Sequence, residues 1–189
     1  MILEGIVTTL DIDGKLNVAP MGPMTEDENW SRFTLRPFKT STTYRNLKER
    51  GEGVFHITDD VLLLARAAIG PVPDAKTVRA GVVAGRVLVS CARYHEFRVV
   101  DLDDHDDRTT IQVETVCSGR FGDLFGLNRA KFAVVEAAIL ATRIGLLPPG
   151  EVREGLDRLE PLVTKTGGAA EREAFALLRA YAVLEGRTP

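Results

Sequence analysis

A run of four hydroxyl residues at positions 40–43 is the clearest candidate for chemistry in this sequence. It precedes a short helical segment that stops at Gly51, so it stands where a helix leaves backbone N–H groups without intrahelical acceptors. Such a helix start attracts phosphate, and Arg36 and Lys39 just upstream can neutralise the phosphate charge. The same residues also fit an ordinary helix cap rich in serine and threonine. The residues alone leave both interpretations open.

The segment Asn-Val-Ala-Pro-Met-Gly at positions 17–22 is a second candidate. A strand that ends in Pro-Met-Gly can bring bare backbone up to a flat ring, or it can be only the exit from a strand. Proline cannot donate a hydrogen bond to a strand ladder. We therefore expect Pro20 and Pro23 to end regular pairing.

The acidic loop near His105 has at first sight the spacing of a calcium-binding loop, with Asp101 and Asp103 as its first ligands. However, Asp106 occupies the position that requires glycine, and Gln112 occupies the position of the bidentate glutamate. We therefore expect a solvated hairpin tip and no metal site.

No catalytic constellation is visible. The three histidines, His56, His95 and His105, lie far apart in the sequence, and neither GxSxG nor GxxxxGK[ST] occurs. His56 lies within a predicted strand and is expected to be structural. Cys91 and Cys117 show no local cue for a lowered thiol pKa and are expected to be free thiols. The catalytic residues therefore stay unknown.

The first two-thirds of the chain has the alternation and the turn residues of β-structure. The predicted strands are 2–10, 16–19, 32–38, 54–58, 82–89, 94–102 and 109–116. Two short helices, 44–50 and 61–69, interrupt them. Six or seven strands with so few helices favour an antiparallel barrel over alternating βαβ units.

From residue 128 onward the pattern becomes helical, with predicted helices at 128–144, 151–163 and 171–184. The first is apolar almost all round and rich in alanine, so we expect it to be buried, often against a partner, with small residues allowing close approach. Its charged residues Arg129, Glu136 and Arg143 share one face. We expect them to form ion pairs within the helix or between helices.

The composition limits the class of protein. A chain of 189 residues with 44% hydrophobic content forms one domain, or one domain with a helical appendage. A net charge of −3 without a long basic run argues against a nucleic-acid partner. The start of the chain does not resemble a signal peptide, and charges interrupt its most apolar stretch, so we expect a cytoplasmic protein that does not cross a membrane.

Four segments together resemble a known superfamily: 17–20 (NVAP), 36–47 (RPFKTSTTYRNL), 53–57 (GVFHI) and 126–143. The first three are similar to the opening of FMN-binding, flavin reductase-like split barrels. The fourth resembles a largely uncharacterised domain-of-unknown-function branch with a helical C-terminal extension. The resemblance implies a six-stranded antiparallel Greek-key split β-barrel over 1–125. It also implies an extension over 126–189 that packs on the barrel and on a homodimer interface.

The resemblance further implies FMN bound across that interface in an oxidoreductase of unknown donor and acceptor. The alternative is a module that binds FMN or a related phosphorylated ligand without turnover. The positions that match the superfamily's phosphate-binding segment are Arg36, Lys39, Ser41, Thr42 and Thr43. The flavin ring would be approached by backbone around Asn17, Ala19, Pro20 and Met21. The resemblance assigns no role to Asn128, Arg129 or Lys131. One interpretation places Asn128 or Arg129 at the flavin or at an anionic substrate, and the other uses Arg129 in ion pairs.

Overall fold

The computed structural model describes residues 1–185. Its strands are β1 (Gly5–Leu10), β2 (Leu16–Met21), β3 (Arg32–Leu35), β4 (Glu52–Ile57), β5 (Thr77–Arg79), β6 (Arg86–Leu88), β7 (Arg93–Asp103) and β8 (Thr110–Arg120). Its helices are α1 (Thr42–Arg50), α2 (Val61–Ile69), α3 (Arg129–Ala141), α4 (Pro149–Thr166) and α5 (Ala169–Glu185). The chain is therefore mixed α and β.

These elements fall into two compact units. The sheet unit comprises Met1–Thr58 and Pro73–Leu124, and it contains α1 and the strands. The helical unit comprises Asp59–Val72 and the chain from Phe125 onward. The sequence placed α2 with the β-structure around it, whereas its contacts group it with the C-terminal helices.

A six-stranded antiparallel sheet forms the sheet unit, in the order β2-β1-β4-β7-β8-β3. The sheet is open, with β2 and β3 as its edges, and isolated bridges join Met24 to Ile2 and to Thr34. The predicted six antiparallel strands are confirmed. Strands β5 and β6 form a separate two-stranded ribbon.

Alternating apolar residues give the sheet unit its core. Phe55 and Phe97 lie on adjacent strands and pack with Leu47 of α1, and all three are almost completely buried. Rings in the same cluster meet edge-on or tilted, as aromatic quadrupoles favour. The cluster fixes α1 against the sheet.

The expectation that Pro20 ends the pairing of β2 is wrong, because Pro20 pairs with Ile6 inside that strand. Strand β2 is an edge strand and pairs on one side only, where a missing N–H is tolerated. Pairing ends after Met21 instead.

The predicted strand 82–89 is correct only in its second half. Carboxylates of Glu96 and Glu52 accept the backbone N–H groups of residues 81–84 at 2.7–3.0 Å, so this segment is a loop. Strand β6 begins after it. The periodicity of the segment does not reveal the two carboxylates, which come from β7 and β4.

Helix α3 is buried along a face of small residues, namely Ala130, Ala133, Val134, Ala137, Ala138 and Ala141. The close approach expected from these residues is seen at Ala130, since a Cβ atom at Gly167 would lie 3.3 Å from Ala130 Cβ. The expectation of burial all round is wrong, because Phe132 and Glu136 are exposed. The helix also ends before residue 144, where the chain turns towards Gly145 at φ 86°.

Within residues 1–185, no helix combines the length and the apolar character that crossing a membrane requires.

Candidate functional site

The hydroxyl run caps the N-terminus of α1. Ser41 is the N-cap residue, and its Oγ accepts a hydrogen bond from the N–H of Tyr44 at 3.1 Å. The N–H of Arg45 donates a hydrogen bond to the Ser41 carbonyl oxygen at 3.3 Å. The N–H groups of Thr42 and Thr43 precede the helix's own hydrogen-bond pattern. Two backbone donors and the positive end of the helix dipole therefore meet at this point.

Arg45 is a further cation at this helix start, in addition to the predicted Arg36 and Lys39. Its guanidinium donates to the Thr40 carbonyl oxygen and to Thr42 Oγ1, both at 2.9 Å. These acceptors are neutral, so the arginine keeps its full charge beside the helix start. The signal was present in the sequence, because residues three apart on a helix are neighbours.

The two cations predicted from the sequence, Arg36 and Lys39, flank the same turn. Arg36 is exposed just before it. Lys39 is fixed by two contacts: its Nζ donates to the His105 carbonyl oxygen at 3.1 Å, and its N–H donates to the Asp107 carbonyl oxygen at 2.9 Å. Three basic residues therefore lie along residues 36–45.

Strand β2 is joined to this helix start through a buried polar cluster. Asn17 Nδ2 donates to Thr43 Oγ1 at 3.1 Å and to Thr9 Oγ1 at 3.2 Å, and Asn46 Nδ2 donates to Thr9 Oγ1 at 2.9 Å. Thr43 is only 2% exposed. Its side chain thus holds the helix against β2, while its backbone N–H remains at the helix start.

The remaining residues of the predicted ring-binding segment, Ala19, Pro20 and Met21, lie half-buried at the far end of β2. An edge strand directs every second backbone N–H and C=O group away from its neighbour. The first residue of this segment, Asn17, therefore contacts the candidate phosphate site. The other residues lie further along the free edge of the sheet.

The acidic loop between β7 and β8 positions α1, so the expectation of a purely solvated tip is wrong for one residue. Asp104 Oδ2 accepts from Tyr44 Oη at 2.6 Å and from Lys48 Nζ at 2.7 Å. The Lys48 and Tyr44 hydrogen bonds lower the pKa of Asp104 to about 2, and the Asp104 carboxylate raises the pKa of Lys48. His105, Asp106 and Asp107 are exposed. In the described part of the chain, no three His, Cys, Asp or Glu residues are grouped to hold a metal ion.

His56 is a structural residue, as the sequence predicted. Its Nδ1 lies 3.0 Å from the Ile6 carbonyl oxygen, and its Nε2 accepts from the Leu88 N–H at 3.0 Å. These contacts require a neutral ring with the proton on Nδ1. Burial lowers the pKa of His56 to about 4, against the opposing effect of the bond to Ile6.

His95 differs from His56 in having one ring nitrogen unused. Its Nδ1 lies 2.9 Å from Ser118 Oγ, whereas its buried Nε2 has no hydrogen-bond partner among the described residues. Its ring contacts those of Trp30 and Phe55, which also contact each other. Burial lowers the pKa of His95, which keeps the ring neutral in this aromatic setting.

The segment around Arg129 belongs to the helical unit. Asn128 is the N-cap of α3, and its Oδ1 accepts from the N–H groups of Ala130 and Lys131 at 2.9 and 3.1 Å. Its Nδ2 donates to the Thr166 carbonyl oxygen at 3.2 Å. Arg129 is exposed at the first position of the helix. Asn128 therefore has a clear structural role.

Lys131 joins three segments of the helical unit. Its Nζ donates to the Asp59 carbonyl oxygen at 2.7 Å and lies 3.5 Å from Asp59 Oδ2 and 3.2 Å from Glu171 Oε1. Asp59 Oδ2 also accepts from the N–H of Phe125 at 2.8 Å. The charge of Lys131 is thus neutralised by carboxylates.

Two solved structures are similar to this chain in fold. Flavoredoxin of Desulfovibrio vulgaris matches with a TM-score of 0.54 at 16% identity, over 63% of this chain and 69% of that chain. Nitrilotriacetate monooxygenase component B from Bacillus cereus matches with a TM-score of 0.52 at 16% identity, over 64% and 70%. At such identities the likeness concerns the fold.

Two family models match most of the chain. The N-terminal domain of the protein of unknown function family DUF447 matches residues 3–121, and the second DUF447 model matches residues 128–180. The chain therefore belongs to the DUF447 family, which confirms the branch expected from the sequence. An FMN-bound protein from Methanosarcina mazei in this family matches with a TM-score of 0.83 at 26% identity, over 95% of this chain and 94% of that chain.

Proposed function

We propose that this protein binds FMN, with the phosphate at the N-terminus of α1 and the flavin ring along the edge strand β2. The single observation that carries the proposal is the 3.1 Å contact between Asn17 and Thr43, which joins β2 to this helix start. The FMN-bound relative from Methanosarcina mazei supports the same ligand.

The residues at the helix start fit a phosphate dianion. The N–H groups of Thr42 and Thr43 would donate to its oxygens, and the Ser41 and Thr42 hydroxyls stand beside them. Arg45, with Arg36 and Lys39 along the same turn, would neutralise its charge. Side-chain donation by Thr43 is not part of the proposal, because its hydroxyl is buried against Asn17.

The flavin ring would lie against backbone groups of residues 17–21. A free sheet edge offers backbone N–H and C=O groups of alternate residues to the ring's polar atoms, although Pro20 supplies no N–H, and the N–H donors among them would stabilise the anionic reduced ring. Bound FMN supplies hydride or electron transfer, so the side chains have to bind and orient it. We therefore propose a flavin-dependent oxidoreductase whose donor and acceptor are unassigned.

The remaining expectations are part of the same proposal. These are the Greek-key split-barrel connectivity, the homodimer, and an extension over residues 126–189 that contributes to the dimer interface. The cytoplasmic location and a contact of Arg129 with the ligand stay predictions. Arg129 belongs to the helical unit and is not needed for the phosphate site as described.

Comparing FMN with riboflavin tests the phosphate site, since the two ligands differ only by the phosphate. We expect that a lower concentration of the wild-type protein is needed to quench the fluorescence of FMN than to quench that of riboflavin. Thr42→Ala combined with Arg45→Ala is expected to lower this preference about tenfold or more, because charge-assisted donors are lost. Arg79→Ala, an exposed arginine of β5, is the matched control. An unchanged preference in the double variant would show that the phosphate binds elsewhere.

Anaerobic reduction tests the redox half of the proposal. The FMN-loaded protein is mixed with NADH or NADPH, and absorbance at the flavin band is followed. Bleaching supports an oxidoreductase that accepts hydride from a nicotinamide. A protein that binds FMN tightly and bleaches with dithionite, but with neither nicotinamide, would instead be a carrier or use a different donor.

A further inference from the structure

The exposed face of α3 carries unpaired charges on either side of an exposed aromatic residue. Arg129, Phe132, Glu136 and Ile139 follow one another at intervals of three and four residues, which is the spacing of a helix–helix contact seam. Phe132 is 52% exposed. Arg129 and Glu136 have no ion-pair partner within residues 1–185, contrary to the ion pairs expected from the sequence.

The two charges do not neutralise each other within the helix. They are seven residues apart, or about 10.5 Å along the axis, whereas ion pairs on one helix join residues three or four apart. The buried face of α3 is occupied by alanine and valine and packs inside the helical unit. The charged face is therefore left for another molecule.

We infer that this face is the contact between two copies of α3, packed antiparallel about a two-fold axis beside Phe132. An isologous contact places each residue opposite its symmetry-related position. An axis midway between Arg129 and Glu136, beside Phe132, sets Arg129 opposite Glu136 of the partner subunit and Glu136 opposite Arg129 of the partner subunit. The same axis brings the two Phe132 rings together, where they bury apolar surface.

Other arrangements of two such helices are less favourable. A parallel pair sets Arg129 against its own copy, and an antiparallel pair centred on Glu136 sets two carboxylates together. Both bring like charges across an interface, which costs several kcal/mol. Only a centre between the arginine and the glutamate gives two reciprocal attractions and also covers the aromatic ring.

The preceding loop extends the same contact. Leu127 is 94% exposed and Phe125 79% exposed, immediately before the first turn of α3. With the axis beside Phe132, Leu127 lies near the position of Ile139 of the partner subunit, so this apolar surface is covered as well. The inference rests on the proposed homodimer and specifies which surface forms it and in which register.

Charge reversal tests the register. Arg129→Glu and Glu136→Arg each set like charges together at both reciprocal positions, and each is expected to raise the dimer dissociation constant about tenfold or more. The double variant exchanges the charges and is expected to return to within about threefold of wild type. Sedimentation equilibrium measures the dissociation constants, and circular dichroism checks that each variant folds.

Arg143→Glu is the matched control, because it reverses one exposed arginine just beyond the helix and is expected to leave the dimer unchanged. Rescue of Glu136→Arg by Arg143→Glu instead of Arg129→Glu would overturn the register. A stable dimer that neither single reversal weakens would overturn the α3 contact and leave the homodimer standing. A wild-type chain that is monomeric would overturn both, whereas the preference of the wild-type protein for FMN over riboflavin judges the phosphate site separately.

Discussion

Helices α1 and α3 begin with the same capping device but differ in the charges around it. Ser41 caps α1 and Asn128 caps α3, each through a side-chain oxygen that accepts backbone N–H groups. Beside α1, Arg45 contacts only neutral oxygens, whereas beside α3, Lys131 is paired with carboxylates. The start of α3 also carries Arg129, an arginine unpaired within residues 1–185, but its cap already uses two backbone N–H groups and two carboxylates lie at Lys131, so it attracts an anion less than the start of α1 does. A capping sequence therefore does not define a phosphate site until its surroundings are known.

The largest predicted difference between the two units is the acid sensitivity of the sheet unit, which loses stability at low pH because of His56. Its pKa of about 4 in the folded protein lies below the usual 6.5. Between those pH values the unfolded chain takes up a proton that the native protein does not, so stability falls with decreasing pH across this window. The loss amounts to about 3 kcal/mol of unfolding free energy.

Urea unfolding at a series of pH values measures this loss. His56→Gln keeps a donor and an acceptor but cannot titrate, so most of the dependence between pH 6.5 and 4 should disappear. A variant that keeps the wild-type pH dependence would assign the acid sensitivity to other groups, such as His95, whose pKa is also lowered by burial.

Lys131 provides the corresponding test of the helical unit. Lys131→Met leaves the carboxylates of Asp59 and Glu171 close together without their cation, and we expect a loss of about 2 kcal/mol in unfolding free energy. Lys165→Met, at an exposed position of α4, is the control and should cost little. If FMN affinity is tied to α1, it should stay unchanged in both variants. A tenfold weaker FMN complex in Lys131→Met would contradict the difference drawn between the two helix starts.

The smallest expected effect compares the two caps directly. Ser41→Ala and Asn128→Ala should each lower stability by about 1 kcal/mol, because each removes one capping acceptor. Only Ser41→Ala should also weaken FMN binding, since only the start of α1 presents its amides to the ligand. Fluorescence titration of both variants checks this, and equal weakening by both would remove the distinction.

Much of this fold follows from local sequence patterns. Strand alternation predicted the antiparallel sheet, and the hydroxyl run followed by Gly51 predicted α1 with its cap and its left-handed C-terminal residue. The alanine pattern predicted the close packing of α3. These features depend on residues near one another in the chain, which explains why periodicity and capping residues were sufficient.

The parts that were missed depend on distant residues. The loop 81–84 is fixed by Glu52 and Glu96 from other strands, and α1 is anchored by Asp104 from a hairpin sixty residues away. Pro20 was misplaced because nothing local shows that its strand lies at a sheet edge. The link between Asn17 and Thr43 likewise becomes visible only in the fold.

A crystal structure of the protein with FMN tests the central claim most directly. We expect phosphate oxygens within about 3 Å of the backbone nitrogens of Thr42 and Thr43, with the Arg45 guanidinium beside them. A phosphate bound at the start of α3, or anywhere distant from residues 36–45, would contradict it.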